Sequence, residues 1–184
     1  SLPVSESIKF GGADRERLLQ NYCESLRNLG KAGIKTVVYN FMPVIDWIRT
    51  DLNFKLPNGT QTLFFDKIRF AYFDIHILNR KDAAKDYSET ELEKVAELAK
   101  TITKAEHAAL IQTIIVKTQG FVNDSIKGDV QKPVELFKAL LAKYDGIDKQ
   151  QLRETLKYFL ESVIPTAREA GINLCVHPDA PPMA

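Results

Sequence analysis

Gly171-Ile172-Asn173-Leu174-Cys175-Val176-His177-Pro178-Asp179 decides the fold. A helix-closing glycine leads into a short apolar run that stops at a histidine, a proline and an aspartate. That is the pattern of a buried strand whose carboxyl end presents polar groups, and α/β proteins keep their chemistry at that end. The wording occurs once before, at Ala32-Gly33-Ile34-Lys35-Thr36-Val37-Val38-Tyr39-Asn40-Phe41-Met42-Pro43, where the polar residue is Asn40. Two helix-glycine-strand-polar cassettes imply two units of one parallel β/α architecture.

Between and before the cassettes the chain reads mostly as helix. From Asp14, Leu18, Leu19, Tyr22, Leu26 and Leu29 recur at helical spacing until Gly33, a stripe that should cover a sheet. Residues 1–13 hold Pro3, Gly11 and Gly12 without a sustained period and read as the exit from an earlier element. Thr36 to Met42 is β-branched and aromatic enough for a strand buried on both sides. Val44 to Leu52 follows that strand's end, where a β-to-α loop overhangs a pocket; an Asp46–Arg49 ion pair is the plainer reading of its charges. Asn58-Gly59 between alternating runs marks a hairpin. Asp66 to Leu78 is helical, with His76 a structural residue rather than a ligand. Ser88 and Glu91 form a capping box for one helix running past Val95, Leu98 and a partly exposed His107 towards Ile115. Lys117 to Lys132 reads as a loop, and Pro133 as the first helical position of the segment ending at Tyr144. Asp148 caps a last helix with Leu152, Leu156, Phe159, Val163 and Ala167 on its buried stripe, and Pro165 should kink it.

Composition narrows the function. The 184 residues are 45% hydrophobic and 27% charged, enough to bury a core. With 25 basic and 24 acidic side chains the formal charge is +1, which argues against nucleic acid and anionic membrane as partners. No apolar run approaches the roughly 20 residues of a membrane span, and Ser1-Leu2-Pro3-Val4-Ser5-Glu6 lacks a signal-peptide pattern, so the expected location is cytoplasmic. Cys23 and Cys175 form neither a disulfide framework nor a zinc spacing and read as packing residues. Two parallel strands so far apart do not complete a sheet, so an incomplete chain is expected. The sequence leaves oligomeric state open, a homo-oligomer included.

The string Tyr39-Asn40-Phe41-Met42-Pro43-Val44-Ile45-Asp46-Trp47-Ile48-Arg49-Thr50-Asp51-Leu52 resembles the signature of the mannonate dehydratase family, whose members carry nearly that string with Thr in place of Ile48. The likeness continues through Phe65-Asp66, Phe73-Asp74, Tyr87-Ser88, Val163-Ile164-Pro165 and His177-Pro178-Asp179-Ala180-Pro181-Pro182. It implies an α/β fold, part of a (β/α)₈ TIM barrel of the xylose-isomerase-like kind. Residues 1–184 would be a single partial domain, roughly barrel strands 2 to 4, with a hairpin and helical insertion between two barrel strands. The implied activity is removal of water from D-mannonate to give 2-keto-3-deoxy-D-gluconate in hexuronate breakdown, with Mn²⁺ or Fe²⁺.

By position in the family's motif, His177 would be the first metal ligand. The family's other ligands, a cysteine, a second histidine and an aspartate, come from later strands, as does a catalytic Asp-His region, and none is in this chain. Cys175 points the same way as His177 in a strand but is not the family's ligand cysteine. Ala180 stands where the family usually has Asp, which removes a carboxylate from the loop.

The reaction explains the residue types. Taking the C2 proton of a sugar acid places charge beside a carboxylate, so a divalent ion holding the carboxylate and the 2-hydroxyl is wanted. Imidazole and carboxylate ligands suit Mn²⁺ and Fe²⁺. A general base acts at C2 and a general acid at the 3-hydroxyl, and neither is identified in this chain. His177 is the expected metal ligand, with Asn40, Arg49 and Asp179 as substrate-binding residues, Arg49 being the natural partner for a carboxylate. Loop-closing hydrogen bonds are the alternative role for Asn40 and Asp179. Two other readings compete: a different metal-dependent sugar isomerase or epimerase on the same barrel, and a catalytically inert structural or assembly piece.

Overall fold

A computed structural model of the chain describes residues 1–45, 47–118 and 131–178. In chain order its elements are α1 (Glu6–Lys9), α2 (Arg15–Lys31), β1 (Thr36–Tyr39), β2 (Asp51–Lys55), β3 (Gln61–Phe64), α3 (Lys67–Tyr72), α4 (Glu89–Thr101), α5 (Lys104–Ile111), α6 (Gln131–Leu141), α7 (Lys149–Glu169) and β4 (Asn173–Val176). The protein is thus mixed α/β. It divides into two compact units, one joining Ser1–Val44 to Leu141–Asp179, the other built on Ile45–Leu140.

In the first unit β1 and β4 pair in parallel, Thr36 with Asn173 through Tyr39 with Val176. The two cassettes are alike because their helices end alike. After α2, Gly33 (φ +82°) lets the Ile34 N–H reach the Leu29 carbonyl at 3.0 Å; after α7, Gly171 (φ +65°) lets Ile172 reach Ala167 at 2.8 Å. This six-residue closure satisfies carbonyls the helix leaves open and aims the chain back along the sheet. Asn173 N–H then donates to the Lys35 carbonyl and starts the ladder. On the other edge of β1, the Leu2 N–H donates to the Val38 carbonyl.

The core of this unit lies between the strands and the helices. Leu19, Tyr22 and Leu26 of α2, Phe159, Val163 and Ala167 of α7, Val37 and Tyr39 of β1, and Val4, Ile8 and Ile172 are all buried together. Phe159 is its hub, with ring centroids 5.2 Å from Tyr22, 5.6 Å from Tyr39 and 5.7 Å from Phe41. α2 and α7 touch where Gly30 meets Ala170: a Cβ at position 30 would sit 2.6 Å from the Ala170 carbonyl oxygen. Pro165 lies inside α7 without ending it.

The structure shortens and uncovers the expected strands. β1 stops at Tyr39 rather than Met42, and only Val37 and Tyr39 on it are buried. On β4, Leu174 is half-buried while Cys175 and Val176 are exposed, so Cys175 is not the packing residue expected. Strand alternation turns Cys175 away from the helix-covered side. Residues 1–13 also hold α1, a single turn.

In the second unit β2 and β3 form an antiparallel hairpin closed at Asn58-Gly59, where Gly59 has φ +84° and the Asn58 carboxamide oxygen accepts from the Thr60 N–H at 3.1 Å. Phe54 and Phe64 stack across it at 4.2 Å, yet neither strand carries a buried residue. Asp66 caps α3, accepting from the Ile68 and Arg69 N–H groups at 2.8 and 3.1 Å. Both α3 and α5 run on into π-helical turns, Phe73–Leu78 and Gln112–Lys117. Buried Asp74 anchors the return from the first: it accepts both arms of Arg80 at 2.8 and 2.7 Å and the Tyr87 hydroxyl at 3.0 Å.

The single helix expected from Ser88 to Ile115 is two. α4 begins at the Ser88–Glu91 capping box but ends at Ile102, whose extended backbone hands over to a second box formed by Thr103 and Glu106. The new cap satisfies the N–H groups that a continuous helix would have paired internally, so the break costs little. Pro133 sits third in α6 rather than first. Most of the expected loop from Lys117 to Lys132, residues 119–130, lies outside the described residues. Among the described residues no helix is long and apolar enough to cross a membrane.

Candidate functional site

The first unit brings two of the four expected site residues together. The His177 N–H donates to the Tyr39 carbonyl at 2.7 Å, carrying the parallel ladder one step past β4. Tyr39 is in register with Val176, so Asn40 and His177 follow as neighbours at the carboxyl ends of adjacent strands. Alternation groups them with Val38 and Cys175, on the face turned away from α2 and α7. His177 is exposed and Asn40 half-buried. The adjoining Tyr39 phenol is buried among the core rings, and that desolvation raises its pKa. It stays protonated near neutrality and serves as a packing group under the site rather than a base.

The others are placed differently. Arg49 belongs to the second unit, half-buried, donating from Nη1 to the Ile48 carbonyl at 2.6 Å with its guanidinium 5.3 Å from the Trp47 ring centroid. That distance is within cation–π reach of the indole. Asp179 and Ala180 lie outside the described residues, as does Asp46, the alternative partner of Arg49. His76 is exposed and stacks on Tyr72 at 5.0 Å, while the half-buried His107 meets the Tyr72 hydroxyl through Nδ1 at 3.1 Å. Both make structural contacts, His76 as expected.

Among the described residues no group of three or more His, Cys, Asp or Glu side chains converges as a metal site. An exposed imidazole at a strand end fits one ligand of a divalent ion, but one imidazole does not close a coordination sphere. Shallow recesses line the α2–α7 flank at Glu16, Cys23, Arg27 and Ser162 and at Gly30 and Glu169, on the helices rather than at the strand ends.

Sequence reading passed over a further group beside the site. Glu6 and Lys9 of α1 and Tyr144 gather at the loop that follows Asn40, with Lys9 only 5% exposed. Burial and its bond to the Glu6 carboxylate both push the Tyr144 phenol up, so it is a hydroxyl donor. No periodicity marks these residues, because their partners are distant in sequence.

A family-wide sequence pattern described as D-mannonate dehydratase (UxuA) matches residues 1–184. The chain belongs to the D-mannonate dehydratase family. Mannonate dehydratases of Marinomonas sp. (strain MWYL1) and of Chromohalobacter salexigens are each 41% identical to it over 182 residues, covering 99% of this chain. The chain spans 45% of the length of each. Its fold is similar to the crystal structure of mannonate dehydratase from Streptococcus suis serotype 2, with a TM-score of 0.60 and 31% identity over 99% of this chain and 36% of that one. A mannonate dehydratase family chain thus presents Asn40 beside His177 at the ends of its one parallel strand pair among the described residues.

Proposed function

We propose that the protein carrying this chain is a mannonate dehydratase, converting D-mannonate to 2-keto-3-deoxy-D-gluconate. The observation that carries this reading is the pairing of Asn40 with His177 at the carboxyl ends of two parallel strands, in a chain of that family. The two strands fit a portion of a xylose-isomerase-like (β/α)₈ barrel, with residues 1–184 as one partial domain of roughly strands 2 to 4. Barrel enzymes build their sites on that end of the sheet.

In this reading His177 holds Mn²⁺ or Fe²⁺ through its imidazole. Such an ion, when bound, supplies the positive charge that balances the electrons left at C2. Asn40 offers a neutral amide to a substrate hydroxyl, and Arg49 and Asp179 meet the carboxylate and hydroxyl ends of the acid. The Trp47 ring restrains the Arg49 fork and so reduces the entropy lost when it grips an anion. General acid and base belong to the remainder of the protein, and the reaction is placed in the cytoplasm.

The test is formation of the keto product from D-mannonate by the complete enzyme. His177→Ala is expected to lower turnover roughly 100-fold or more and to weaken Mn²⁺ binding measured by titration. Unchanged turnover and unchanged Mn²⁺ affinity in that variant would remove His177 from the site.

A further inference from the structure

Behind Asn40 the chain makes a turn that its own residues resist. Met42 precedes Pro43, and Val44 then adopts φ +61°, in the left-handed region that a β-branched side chain avoids. Val44 is nevertheless buried, 2% exposed. One ion pair holds both sides of this turn. The Glu6 carboxylate accepts the Val44 N–H at 3.1 Å and the Tyr144 hydroxyl at 2.6 Å through Oε2, and the Lys9 ammonium at 2.7 Å through Oε1. Lys9 Nζ also donates to the Met42 carbonyl at 2.8 Å. α1 thus fastens the backbone two and four residues after Asn40.

We propose that Glu6 and Lys9, with Tyr144 in support, are positioning residues of the site, holding Phe41–Val44 in its strained turn so that Asn40 is presented beside His177. The inference rests on reading the strand ends as a mannonate site. Strain of this kind persists only where surrounding contacts over-determine it, and it gathers where a group must be held in place. Here the surroundings are an ion pair between buried Lys9 and half-buried Glu6, aimed at two backbone atoms of one turn. A glycine at position 44 would adopt the same φ without help, so the clamp is needed because the residue is valine.

That dependence makes the test. In the complete enzyme, Glu6→Gln is expected to raise KM for D-mannonate about tenfold while leaving kcat within about threefold, the mark of a displaced binding group. Adding Val44→Gly should return KM to within about threefold of the parent while lowering the melting temperature further, since a buried side chain is removed. Opposite movements in KM and melting temperature distinguish positioning from simple support. If Glu6→Gln lowers the melting temperature with KM unmoved, or if Val44→Gly fails to restore KM, the proposal is overturned. Should Glu6→Gln not fold, Tyr144→Phe keeps the ion pair, and a smaller rise in KM reversed by Val44→Gly is expected; no rise overturns it.

Hydrogen exchange separates this idea from the functional reading. Glu6→Gln should speed amide exchange across Phe41–Val44 about tenfold or more. A parent enzyme inert towards D-mannonate, with that acceleration present, defeats the mannonate reading and leaves the clamp standing. Unchanged exchange defeats the clamp whatever the substrate.

Discussion

The two strand pairs of this protein are held by opposite means. β2 and β3 are local, joined by a turn whose hydrogen bonds run among Leu56, Asn58, Gly59 and Thr60, and neither carries a buried residue. β1 and β4 come from the two ends of the chain and pair because α2 and α7 close in the same way and bury one common core against them. The hairpin therefore depends on its turn, and the parallel pair on packing. Asn40 and His177 stand on the second kind. Their placement inherits every disturbance of the helix–sheet core, whereas the hairpin answers to its turn.

The sharpest break of this contrast is Phe159→Ala. The ring is fully buried against Tyr22, Tyr39 and Phe41, so its loss is expected to cost about 3–5 kcal/mol in urea unfolding and to depress turnover with it. A loss under about 1 kcal/mol would mean the parallel pair does not rest on this core.

The next largest effect belongs to the second unit. Ser88→Ala removes half of a capping box and is expected to cost about 1 kcal/mol. Its acid dependence sharpens the point. Hydrogen bonds from Lys67 and then from Ser88 hold the Glu91 carboxyl down to about 2 from its ordinary 4.5. A carboxyl depressed in the folded state contributes stability above its unfolded pKa and loses it as the pH falls, here between about 4.5 and 2. Glu91→Gln should flatten the melting temperature across that window; equal slopes for parent and variant would contradict the assignment.

The smallest effect is expected at the hairpin. Leu63 is 50% exposed on β3, and Leu63→Lys should change stability by less than about 0.5 kcal/mol with turnover unaltered. A large loss there would show that the hairpin depends on packing rather than on its turn.

Legibility in the sequence follows the same division. Local devices could be read directly: Gly33 and Gly171 as helix stops, Ser88 with Glu91, Asp148, and Asn58-Gly59, because each acts within a few residues of itself. Thr103 with Glu106 carries the same signature as Ser88 with Glu91, but the apolar stripe continues across Ile102 and hid it. The π-helical turns at Phe73–Leu78 and Gln112–Lys117 could not be read, since a single i→i+5 turn at the end of an α-helix has no residue preference that marks it. The candidate site was half legible. A polar residue at the same place in both cassettes singled out Asn40 and His177, but their register is a property of the pairing and not of either segment. Glu6 was invisible, because Val44 and Tyr144 lie 38 and 138 positions away.

The contact between Gly30 and Ala170 limits how this chain can diverge. A Cβ at position 30 would meet the Ala170 carbonyl oxygen as well as the Ala170 Cβ, and because the carbonyl is backbone, no second substitution removes it to make room for a larger residue there. The separation of α2 from α7 acts as a fixed gauge, and tolerated change in related chains should collect on the outward flanks of those helices.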